Sequence, residues 1–73
     1  MTPEHMARAR ARLGLTLDQM ATMLGYHGEH RRQMQYDLET GRRTIREPQR
    51  RLTDAYLLGY RPDDWPTKDS PAE

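Results

Sequence analysis

The stretch Glu29-His30-Arg31-Arg32-Gln33-Met34-Gln35-Tyr36-Asp37-Leu38-Glu39-Thr40-Gly41 decides how this chain is organised. Glu29 to Thr40 holds no Gly or Pro, which predicts a helix that Gly41 ends. Met34 and Leu38 stand four apart and predict a narrow apolar edge facing the core. Arg32, Gln33 and Tyr36 project elsewhere and carry groups that hydrogen-bond to base edges or phosphates. His30 and Arg31 extend that polar surface, and Glu29 complements the helix dipole. Arg42 and Arg43 follow Gly41 at once. The pattern predicts a helix that reads nucleic acid, with the rest of the chain as its frame.

Working outward, Thr2 is an N-cap for a first helix with Pro3 at its first position and Gly14 as its stop. Met6, Ala9 and Leu13 mark its core stripe. Thr16-Leu17-Asp18-Gln19 reads as a capping box for a second helix over 17–24, which buries Leu17, Met20, Ala21 and Leu24. Gly25 to Gly28 makes a turn with Tyr26 folded back as an apolar plug. Beyond Gly41 comes a basic connector with Ile45 pointing inward. Pro48 opens a fourth helix whose stripe is Leu52, Ala55, Tyr56 and Gly59. Trp65, the only Trp, packs on helix four or helix one or crosses to a second subunit. Residues 1–66 therefore form one domain and 67–73 a disordered polar tail. No strand pattern, repeat or low-complexity tract is present.

Composition narrows the function. Seventy-three residues that are 34% hydrophobic and contain no Cys make a small core with no disulfide and no thiolate metal site. No apolar run reaches the roughly 20 residues of a membrane span, so a cytoplasmic protein is expected. Net charge is +1, but it is unevenly spread: up to Arg61 eleven Arg face seven acids, and from Pro62 one Lys faces four. Arg suits bidentate phosphate and guanine contacts, although an Arg-rich composition also serves merely to solvate a surface. His27, Glu29 and His30, with His5, have loose spacing for zinc, and a Gly interrupts them, so no metal is expected. No phosphate-cradling Gly loop and no nucleophile–base pair is visible, so neither an enzyme nor a cofactor or small-molecule ligand is expected.

The order of these elements resembles the lambda-repressor-like, or Cro-type, helix-turn-helix regulators of phages and bacteria. Leu13-Gly14-Leu15-Thr16 is similar to that family's junction between its first two helices. Ala21-Thr22-Met23-Leu24-Gly25 is similar to its Ala-x-x-x-Gly turn spacing, and Glu39-Thr40-Gly41 to its Glu-Asn-Gly ending. The likeness covers Met6 to Leu58, and a looser one is to small repressors associated with anti-CRISPR operons. It implies an all-α, four-helix domain with the helix-turn-helix over about 16–40, helix two crossing the DNA backbone and helix three entering the major groove. It implies phosphate contacts from Thr16, Arg42, Arg43, Thr44 and Arg46, and a structural salt bridge between Arg10 and Glu39.

Two features depart from the family. Leu17 stands where a phosphate-touching Gln is usual, and the distance from Gly25 to Glu39 is longer than the common pattern. Counting back from Glu39 places Gln35 at a usually apolar site, whereas the local pattern prefers Met34 there. Burying an unpaired amide costs about 1–3 kcal/mol, so Met34 is expected inside. The expected function is a sequence-specific repressor that binds an inverted repeat of double-stranded DNA as a homodimer. His30, Arg31, Arg32, Gln33 and Tyr36 would read bases, and Tyr56, Tyr60 and Trp65 would form the dimer surface. The alternative is an interaction module such as the antitoxin of a toxin–antitoxin pair, its acidic tail masking a basic partner. RNA binding ranks below both, because no exposed aromatic platform is evident.

Overall fold

Thr2 starts the first helix, its Oγ1 accepting the His5 N–H at 3.0 Å, and Pro3 takes the first helical position. The computed structural model describes residues 1–66, so the expected disordered tail lies outside the described residues. Four helices follow in order: α1 (Pro3–Leu13), α2 (Leu17–Met23), α3 (Arg31–Thr40) and α4 (Glu47–Leu57). Among the described residues there is no strand, and no helix is long and apolar enough to cross a membrane. The fold class is all-α, as the sequence indicates.

The capping box of α2 is complete: Thr16 Oγ1 accepts from the Gln19 N–H at 3.1 Å, and Gln19 Oε1 accepts from the Thr16 N–H at 2.9 Å. α3 begins two residues later than expected. Gly28, at φ 90°, turns the chain, and Glu29 and His30 belong to that turn, not to the helix. Pro48 is the second residue of α4, not the first.

α3 packs against both α1 and α2, and α4 against α1. Met6, Leu15, Met20, Met23, Leu24, Leu38, Tyr56 and Trp65 form the core, with Leu13, Tyr26, Ile45 and Leu52 against it. The sequence has no Phe, and much of this volume is thioether side chain, which adapts to irregular gaps. Thr53, a polar residue outside the expected stripe, is fully buried; its hydroxyl donates to the Gln49 carbonyl at 2.8 Å, so it enters the core without an unmet donor. Leu17 departs the other way and stays partly exposed.

Trp65 packs edge-on against Tyr56, with ring centroids 5.1 Å apart, and the Arg61 guanidinium lies 4.3 Å from the Trp65 ring centroid. Arg61 Nη1 also donates to the Tyr56 and Tyr60 carbonyls, each at 2.8 Å. The Tyr56 hydroxyl donates to the Met23 carbonyl, and burial pushes its phenol above the ordinary value. Tyr56 and Trp65 are thus both consumed by their own chain. Their expected place in a dimer surface is corrected: only Tyr60 of the three remains exposed.

One polar cluster sets the register of α3. Arg10 Nε donates to Glu39 Oε2 at 2.7 Å and Nη2 to Oε1 at 3.1 Å, a fork on a carboxylate, while Nη1 reaches the Leu15 carbonyl at 3.1 Å. With Glu39 turned toward α1, the residue four before it shares that face. That residue is Gln35, which is 0% exposed and donates Nε2 to Glu39 Oε2 at 2.8 Å. Met34 is only partly buried, so the local preference for Met34 inside is overturned. The carboxylate supplies the partner whose absence made a buried amide look costly, although Gln35 Oε1 has no protein partner. Glu39→Ala leaves Gln35 Nε2 and the Nε and Nη2 of Arg10 without an acceptor, while Arg10 Nη1 keeps the Leu15 carbonyl. The expected loss is about 3 kcal/mol in urea denaturation, the low end for a broken buried pair, because Arg10 keeps 26% side-chain exposure against 7% for Glu39.

Candidate nucleic-acid interface

With Gln35, Leu38 and Glu39 facing inward, helical rotation turns Arg32, Gln33 and Tyr36 outward together. These three, with Glu29 and His30 from the preceding turn and Leu17 from the start of α2, line an open concavity of about 480 Å³. Among the described residues Arg32 has no acidic partner within ion-pair distance. Gln33 Nε2 donates to Asp37 Oδ1 at 2.9 Å, one turn along the exposed face. The concavity therefore offers a guanidinium, an amide, a phenol, an imidazole and the Glu29 carboxylate beside one aliphatic side chain.

Arg31 does not join them. Its Nε lies 3.4 Å from Asp18 Oδ1 without hydrogen-bond alignment, and its Nη1 donates to the Gly28 carbonyl at 3.3 Å. It lines a different, smaller depression with Asp18, Gln19 and Thr22 of α2. The structure thus places Arg31 apart from the residues it was expected to read bases with: one step along a helix turns a side chain by about 100°, and this step points Arg31 at α2.

At the other end of α3, Gly41 adopts φ 88°, a left-handed conformation that a side chain would strain. The N–H groups of Gly41, Arg42 and Arg43 all point to the Asp37 carbonyl, at 2.9 Å for Arg42 and 3.2 Å for Arg43. The last turn thus fixes the backbone of the first two connector arginines, and the negative end of the helix dipole suits their charge. Arg42, Arg43, Thr44 and Arg46 are all exposed. Thr16 is exposed too; its hydroxyl accepts in the cap of α2 and keeps a proton to donate.

The arginines divide by partner. Arg10, Arg31, Arg50 and Arg51 face carboxylates, and Arg61 faces carbonyls and an indole. Among the described residues, Arg32, Arg42, Arg43 and Arg46 have no carboxylate partner; Arg32 lies on the concavity face, Arg42 and Arg43 follow the end of α3, and Arg46 caps the start of α4. Arg8 and Arg12 are also unpaired but belong to α1. Sequence reasoning missed Leu17 as part of the site, because an apolar residue in the first turn of a helix reads as core. No group of three side chains able to hold a metal occurs among the described residues.

Comparison of the chain with protein-family models, curated proteins and solved structures finds no match.

Glu47 shows what a carboxylate does to the arginines it holds. Hydrogen bonds from Arg50 and then Arg51 lower its pKa from 4.5 to about 2, while Arg50 is raised by the same contact. A depressed carboxylate stabilises the fold above its unfolded pKa and stops doing so as pH falls through the folded one. The wild type should therefore lose this contribution between pH 4.5 and about 2. Glu47→Gln, which lacks it at every pH, should show a shallower decline over that window in urea denaturation measured as a function of pH.

Proposed function

We propose that this protein is a sequence-specific double-stranded DNA-binding repressor of the helix-turn-helix kind, acting as a homodimer. The observation that carries this reading is the gathering of unpaired Arg32 with Gln33 and Tyr36 on the outer face of α3, with unpaired Arg42, Arg43 and Arg46 just beyond its end. In this reading α2 and α3 are the two helices of the motif, and α3 lies in the major groove. Arg32 and Gln33 present donors and an acceptor to base edges, and the connector arginines meet phosphates. The resemblance of the Leu13–Thr16, Ala21–Gly25 and Glu39–Gly41 segments to Cro-type regulators supports the same reading.

The dimer in this proposal uses the surface left apolar by the fold. Leu58 is 90% exposed and Tyr60 54%, and Leu57 lines an open groove with Ala11, Arg8 and Arg12 of α1. In this reading repression comes from occupying a promoter. Two copies related by a two-fold axis would read half-sites about 34–36 Å apart, or a multiple of that.

Selection from random duplexes, followed by titration of the selected site against salt, tests the proposal: a palindromic consensus is expected, and sequence-blind weak binding would overturn it. Arg42→Ala or Arg43→Ala should weaken binding to all sequences alike and lower the salt slope by about one for each phosphate left unneutralised. Arg32→Ala with Gln33→Ala should cost about 1–3 kcal/mol and relax discrimination at particular base pairs, read from competition against single-base variants of the site.

A further inference from the structure

Leu17 is the residue in the candidate interface that the proposed function leaves unexplained. It is the first residue of α2, placed by the Thr16 cap, and α2 fills its share of the core without it through Met20, Ala21 and Met23. Leu17 instead stays partly exposed and lines the α3 concavity with Tyr36, whose ring is also exposed. An isobutyl group neither donates nor accepts a hydrogen bond, so among Arg32, Gln33 and His30 it offers only apolar contact. An aliphatic side chain left at a polar surface gains nothing from water, and it gains from an apolar group brought against it.

Base-pair edges in the major groove consist of hydrogen-bonding groups with one apolar feature, the C5-methyl of thymine, which 5-methylcytosine also carries. We propose that Leu17 and Tyr36 together read a pyrimidine C5-methyl group, so that α2 contributes to base recognition through its first residue. This inference rests on the reading of α3 as a major-groove helix. It assigns a base-reading role to the position where Cro-type regulators usually carry a phosphate-touching Gln. The polar neighbours then fix which base pairs flank the methyl, and the apolar pair fixes where a methyl must stand.

Replacing each thymine of a selected duplex singly by deoxyuridine removes the methyl and leaves every hydrogen-bonding group in place. The full chain should lose about fourfold in affinity at one thymine per half-site, the equivalent of one methyl group buried. Placing cytosine and then 5-methylcytosine at that position separates the two sources. A similar gain on methylation shows that either methylated pyrimidine is read, and no gain restricts the contact to thymine. Leu17→Gln should bind thymine and deoxyuridine duplexes equally, with circular dichroism and thermal melting verifying that it is folded. Leu17→Ala, which introduces no polar group, should lose the same discrimination. Unchanged affinity at every deoxyuridine position, or an intact thymine preference in both variants, would overturn the inference while duplex binding stands. A chain that binds no duplex DNA would overturn the functional reading and this inference with it.

Discussion

Everything that α3 presents to solvent depends on the fork between Arg10 and Glu39. A helix of this length on a small core has several rotations that would bury some apolar side chains, since Met34, Leu38 and the aliphatic part of neighbouring residues all offer contact. The carboxylate removes that freedom. With Glu39 held at two oxygens by a guanidinium that also grips the Leu15 carbonyl, the rotation of α3 about its axis is set to within a fraction of a residue. The partly buried setting strengthens the attraction and makes the unpaired alternatives costly.

The cluster also explains which expectations failed. The caps at Thr2 and Thr16 and the stops at Gly14 and Gly41 were legible because each is settled by residues within one turn. Gln35 and Thr53 were not, because both are buried polar groups whose partners are fixed elsewhere, by the packing of α3 on α1 and by the α4 backbone. Local pattern assigns a polar residue its cost without its partner, and so moves it to the surface. Trp65 shows the complementary difficulty: a large ring signals that it must be covered, and the sequence left helix four, helix one and a second subunit as alternatives, of which helix four is the one found. Here the cover is Tyr56 and Arg61 of the same chain.

The candidate interface was legible in its chemistry and less so in its membership. Arg32 and Gln33 share a side with Tyr36 because residues spaced by three or four on a helix do so, and His30 joins them from the turn before α3. Arg31 leaves the group through the next rotational step, toward Asp18, and Leu17 enters it from another helix. Both changes are tertiary: they depend on where α2 lies beside α3, which no spacing within one helix records. The pairing of arginines was hidden only where it is tertiary, as for Arg31 with Asp18; Arg50 and Arg51 stand three and four residues after Glu47 on one helix, a spacing that the sequence records.

Gln49 joins parts of the molecule that are distant along the chain. Its Oε1 accepts the Arg46 N–H at 2.9 Å where the connector enters α4, and its Nε2 donates to the Tyr26 hydroxyl in the turn that leads into α3. The segments entering and leaving α3 are thereby pinned to one amide, like a shaft whose two bearings are bolted to the same block. The same side chain ties the turn before α3 to the connector after it, while α3 itself is seated on α1 and α2.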